Sequence, residues 1–164
     1  MPLSKLDPLI SKFSALASAG EGVGGLLPPD WRGAEWIQLF ECADLRSVAS
    51  GQALIRRGDP ERTLYFVLQG SLEVIVHSGH GISLGALTKA VAGTVLGEVS
   101  FLDGLPRSAS VWALEDSQVA AMTWTQFSEF ETRQPKLARD LLFALGRVLA
   151  ARLRNTNAQL VANS

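Results

Sequence analysis

The chain has 164 residues, enough for one domain and too few for two full ones. Its 15 Lys and Arg nearly cancel its 16 Asp and Glu, which argues against a general nucleic-acid binder, a class that carries a basic excess. A lone cysteine, Cys42, rules out an intrachain disulfide and suits a reducing cytoplasm, and no apolar run is long enough to span a membrane.

Residues 1–28 read as a flexible leader or linker. Met1–Gly20 mixes apolar residues with Asp7, Pro8 and Lys12, which predicts a poorly packed helix or linker, not a signal peptide. Gly20–Gly25 is too glycine-rich to hold a helix. Pro28-Pro29-Asp30 predicts a helix start capped by Asp30, with Trp31, Ile37, Leu39 and Phe40 on a short apolar helix ending near Cys42.

From Asp44 to Trp124 short runs alternate with turn signals. Strands are expected at Leu45–Ala49, Ala53–Arg56, Leu64–Leu68, Leu72–Val76, Leu84–Val91, Ser108–Ala113 and Gln118–Trp124. Leu72, Val74 and Val76 alternate onto one face. Many short strands with glycine turns predict a mainly β fold of jelly-roll or double-stranded β-helix type with flanking helices. Thr125 is positioned to cap a short helix through Glu131, and Pro135 to open a long C-terminal one. On that last helix Ala138, Leu142, Leu145, Leu149, Leu153, Thr156 and Leu160 form a stripe that Leu141 and Val148 widen. The division is therefore a leader (1–28), a β-roll with short helices (29–134) and a hinge or lid helix (135–164).

The chemistry is concentrated in Gly93–Val111. Gly97 permits close backbone approach to a ligand. Glu98–Leu102 can form little more than one helical turn, whose free amides favour an anion. Gly104 and Pro106 turn the chain, and Arg107 then opens a strand, where a guanidinium can pair two-pronged with phosphate oxygens. Glu98 and Arg107 can thus grip two ends of one small anionic ligand.

The stretch Leu-Gly-Glu-Val-Ser-Phe-Leu-Asp-Gly-Leu-Pro-Arg-Ser-Ala-Ser-Val, from Leu96 to Val111, resembles the phosphate-binding cassette of the cyclic-nucleotide-binding domain family. Upstream, Arg56-Arg57-Gly58-Asp59 before Leu64-Tyr65-Phe66-Val67-Leu68-Gln69-Gly70 matches a second signature of that family, and the resemblance spans about residues 36–160. It implies a ligand site in which Glu98 accepts from the ribose 2'-hydroxyl and Arg107 pairs with the exocyclic phosphate oxygens. Gly97, Val99 and Ser100 would offer amides, and Ser108 its amide or hydroxyl. The ligand implied is cAMP or cGMP, with cAMP placed first; no cofactor is implied. Members without nucleotide usually lack the arginine or the glutamate, and both are present here.

Other features read more plainly. His77 and His80 lie in a Ser-Gly loop without a third ligand and read as exposed loop residues, not a metal site. Cys42 reads as a buried structural cysteine. Trp31, Trp36, Trp112 and Trp124 read mostly as core or interface residues, and Arg56, Arg57 and Arg62 as solvated charge.

No nucleophile is paired with a base, so a sensor rather than an enzyme is expected, with the signal relayed by the C-terminal helix. That helix is expected to pair with its copy in a homodimer, an effector domain or protein is the further partner, and neither direct DNA binding nor membrane insertion is expected. The chain ends near the end of that helix, so it either docks on a partner alone or is a regulatory piece of a longer protein. A nucleotide-free dimerisation or docking module on the same fold, and a small jelly-roll enzyme, are the alternatives.

Overall fold

The computed structural model describes residues 7–19, 31–77 and 83–162. Two antiparallel four-stranded sheets form a β-roll, with helices at both ends of the chain. The first sheet has the order β1 (Asp44–Val48), β8 (Ser117–Thr123), β3 (Thr63–Gln69), β6 (Val95–Leu96). The second has the order β2 (Ala53–Ile55), β7 (Ser110–Ala113), β4 (Ser71–His77), β5 (Ser83–Val91). Seven of these strands fall where the sequence pattern predicts them. β6, two residues paired with Tyr65 and Phe66, is too short to show any alternation.

β3 explains why its sequence is a continuous apolar run rather than an alternating one. Tyr65 and Val67 point into a core shared with Leu72, Val111, Val119 and Ala121. Leu64, Phe66 and Leu68 point the other way, into a second core built with the helices. A strand covered on both faces has no solvent side to make polar.

The helical core overturns one expectation. Residues Asp7–Ala19 form α1, and it is well packed: Ile10, Phe13 and Ala17 are buried, and Phe13 meets Trp36, Phe40 and Phe66 edge-on. Ser11 and Lys12 are exposed and Ser14 is half-buried, which is why the segment reads as weakly apolar. The glycine-rich run and Asp30 lie outside the described residues. The next helix, α2 (Gly33–Phe40), starts later than predicted, with Arg32 at the cap position and Glu35 accepting from the Arg32 amide at 2.8 Å. In α4 (Trp124–Arg133) the cap is Thr123, not Thr125: its hydroxyl accepts from the Gln126 amide.

The long helix α5 (Pro135–Ala162) buries Leu137, Ala138, Leu141, Ala144, Leu145 and Val148. Its buried stripe is thus centred on Leu141 and Val148, which the sequence places at the edge. Leu142 and Leu149 are only half-buried and Leu153 is exposed, along with Phe143 and Val161. Cys42 is half-buried rather than buried, with Arg133 Nη2 3.2 Å from its sulfur, and burial raises its thiol pKa. His77 ends β4, and the segment through His80 lies outside the described residues.

Candidate functional site

Between β6 and β7 the chain leaves the sheets for α3 (Glu98–Asp103), bounded by two glycines in the left-handed region, Gly97 at φ 79° and Gly104 at φ 72°. At Gly97 the requirement is doubled, since a Cβ there would lie 2.5 Å from Arg107 Nη1 and 2.8 Å from the Thr63 carbonyl. The backbone comes this close because Arg107 donates from Nη1 to the Gly97 carbonyl (3.1 Å) and from Nη2 to the Thr63 carbonyl (2.7 Å).

Arg107 is 3 % exposed, and its Nε–H has no partner among the described residues. Its backbone is clamped as well: the Arg107 amide donates to Asp59, and the Gly58 amide donates to Arg107. The two motifs that are separate in sequence are therefore one structure, with the Gly58-Asp59 turn holding the loop that carries the arginine. Arg107 does not open a strand as its sequence predicts but precedes β7, which starts at Ser110. Beneath the guanidinium lies Tyr65, whose ring centroid is 5.7 Å from Cζ. Burial, then the Glu61 carboxylate to which it donates, push the Tyr65 phenol up to about 12, so it stays a neutral donor. Glu61 also stands 3.9 Å from Arg107 Nη2 at the outer edge of this cluster.

Glu98, the first residue of α3, is 5 % exposed. A charge so buried requires a partner, and that partner comes from α5: Arg152 Nη1 pairs with Glu98 Oε1, while Arg152 Nη2 donates to the Val95 carbonyl at 2.8 Å. All six residues singled out in the sequence, Gly97, Glu98, Val99, Ser100, Arg107 and Ser108, line one cavity of about 190 Å³. Its remaining wall is apolar, from Ile55, Val74, Val76, Leu96 and Val111, with Arg152 as the contribution of α5. The volume is below the roughly 300–1,000 Å³ usual for small-molecule pockets. Arg152 also lines a second cavity of about 90 Å³ that shares Val74 and Leu96 with the first.

Arg152 is the site residue that sequence reasoning missed. It lies one turn beyond Val148 and so continues the buried stripe of α5 with a charge, a signal visible only once the stripe is correctly centred. Arg62 also departs from expectation. It is not simply solvated, because its guanidinium stacks on Trp124. Among the described residues no cluster of three His, Cys, Asp or Glu is placed to hold a metal.

A β-roll interrupted by a one-turn helix, with a buried carboxylate and a buried guanidinium on one cavity, is the architecture of a ligand-binding regulatory domain. Residues 45–133 match the model of the cyclic nucleotide-binding domain family, and the chain belongs to that family. It is similar to the Pycsar effector protein BcPycTIR of Burkholderia cepacia, 29% identical over 74% of this chain and 39% of the relative. It is 32% identical to the cAMP-activated global transcriptional regulator CRP of Pasteurella multocida, over 76% of this chain and 57% of the regulator. The chain thus spans less than two thirds of either. Its fold is similar to that of a cyclic nucleotide-binding domain from Methylobacillus flagellatus KT (TM-score 0.82, 24% identity, 97% of this chain and 86% of that one). The catabolite activator protein of Thermus thermophilus has a TM-score of 0.68 at 25% identity, over 90% of this chain and 62% of that one.

Proposed function

We propose that the chain senses a cyclic nucleotide and relays its binding through α5. The observation that carries this reading is the convergence of the Gly97–Ser100 and Arg107–Ser108 segments on one cavity, with both charged groups buried and held. Arg107, whose Nε–H lacks a partner among the described residues, pairs with the cyclic phosphate. Glu98 accepts from the ribose 2'-hydroxyl, the amides of Gly97, Val99 and Ser100 and the exposed Ser108 complete the polar shell, and the apolar wall receives the base. Because Arg152 holds Glu98 from α5, a ribose that engages Glu98 alters what tethers the far half of that helix. The ligand then shifts α5 between two placements, by no more than its differential affinity for them. The β-roll with its short helices is the sensor and residues 135–164 the responder, within a cytoplasmic protein.

Phosphate and ribose contacts are common to cAMP and cGMP. The similarity to the cAMP-activated regulator supports placing cAMP first, and titration with both nucleotides decides between them. Phe143, Leu153 and Val161 are each exposed on α5 away from its buried stripe, which supports a homodimer through that helix. One observation favours a second reading, a nucleotide-free docking module: the Glu98 carboxylate already has an internal cation.

Isothermal titration of the parent and Arg107→Ala with cAMP and cGMP separates the two readings. Saturable binding in the parent that the substitution removes, with the fold retained by circular dichroism, is expected. No heat from either nucleotide sinks the sensor and leaves the docking module.

A further inference from the structure

Arg62 lies just before β3 and is not among the residues lining the cavity. Its Cζ stands 3.4 Å from the centroid of the Trp124 ring, a cation seated on the negative face of the indole. From that position Nε donates to the Phe101 carbonyl at 2.8 Å and Nη2 reaches the Leu102 carbonyl at 3.4 Å. These carbonyls belong to the last turn of α3, where helical donors run out. The Trp124 amide donates back to the Arg62 carbonyl at 3.0 Å. Trp124 also packs on Phe101 and Phe127, with centroids 5.3 and 5.5 Å away, and it opens α4, which packs on α5. One side chain thus joins the approach to β3, the end of α3 and the start of α4.

We propose that Arg62 is a positioning residue for the nucleotide site: a cation clip that holds the C-terminal end of α3 on α4 and thereby fixes Glu98 at the other end. The inference rests on the site reading proposed above. A helix of six residues cannot hold its shape through its own hydrogen bonds. Gly97 and the Arg107 contacts restrain the start of α3, and Arg62 restrains its end. Without the clip, α3 must be ordered at the moment of binding, and that cost is subtracted from affinity. The clip also gives Trp124 a view of the site, because any shift of α3 on binding changes what lies over the indole.

The test is titration of the parent, Arg62→Ala and Arg62→Lys with cAMP and cGMP, alongside tryptophan emission. Arg62→Ala is expected to bind about five- to tenfold more weakly. Arg62→Lys falls between, since an ammonium keeps the charge but lacks the planar fork that stacks and donates together. Nucleotide changes the emission of the parent, and Trp124→Phe removes that change. An Arg62→Ala protein that melts lower yet binds as the parent does overturns the proposal. Should Arg62→Ala not fold, parental affinity in Arg62→Lys overturns it. If the parent binds neither nucleotide, the site reading fails and this proposal with it. If Arg107→Ala abolishes binding and Arg62→Ala leaves it intact, only this proposal fails.

Discussion

Gly97→Ala adds one methyl group and tests the geometry of the whole site. The backbone there has φ 79°, a conformation that costs an L-residue roughly 1–2 kcal/mol. In a domain of this size each 1 kcal/mol lowers the melting temperature by about 2–4 °C, so strain alone predicts a loss of about 2–8 °C. The added Cβ would also stand 2.8 Å from the Thr63 carbonyl and 2.5 Å from Arg107 Nη1. The Thr63 carbonyl cannot retreat easily, because its strand is held by β8 at the Thr63–Thr123 pair. Arg107 must therefore move, giving up its bond to Gly97. If the shift costs the ligand one charge-assisted contact, worth about 1.5–3 kcal/mol, binding weakens roughly 10- to 100-fold. Thermal melting with and without cAMP, followed by calorimetric titration, reads both effects. A variant with parental melting temperature and parental affinity would refute the placement of Gly97 against Arg107.

Cyclic AMP should raise the melting temperature far more than linear 5'-AMP, with about 2.7 kcal/mol of added stability at a hundredfold excess over the dissociation constant; equal shifts would indicate a general phosphate site. Phe143→Asp with Leu153→Asp should move the protein towards monomer in sedimentation, because both side chains are exposed on the single chain. Leu145→Asp, by contrast, should unfold it, since Leu145 is completely buried, and a parent that sediments as a monomer at high concentration removes the dimer. Burial pushes the Asp140 carboxyl up, but the Lys136 ammonium at 3.0 Å, with Arg139, outweighs it and holds the pKa below the ordinary 3.8. A depressed pKa stabilises the fold above the ordinary value and ceases to do so as pH falls through the folded one. Asp140→Asn should therefore melt slightly lower than the parent at pH 7, by at most about 3 °C because the lysine of the pair is exposed, with the gap closing as pH falls below the ordinary 3.8. A gap that widens on acidification contradicts the assignment.

The cassette was legible in the amino-acid sequence because its determinants are local. Gly97, Gly104 and Pro106 set turns through their own backbone preferences, and the alternation or uniform apolarity of seven strands reports which faces are covered. The six cavity residues named from the sequence lie within twelve positions of one another, so one short motif carries those six. The tertiary structure decided what depends on distant neighbours. Ile10, Phe13 and Ala17 have helical spacing, but only the presence of Trp36, Phe40 and Phe66 turns that face into core. The rotation of α5 is set by what the β-roll offers it. Neighbouring apolar rows on one helix differ little in sequence, so of the predicted stripe Ala138 and Leu145 are buried but Leu142, Leu149 and Leu153 are not, while Leu141 and Val148 from its edge are. That rotation is also what brings Arg152 to Glu98, across 54 positions of chain, and what leaves Phe143 and Leu153 outside. Arg62 reads as a surface charge until folding places the Trp124 ring beneath it and two carbonyls of α3 before it. Local preference writes turns and strands into a sequence, whereas a long-range pair exists only once the chain between its members has been packed.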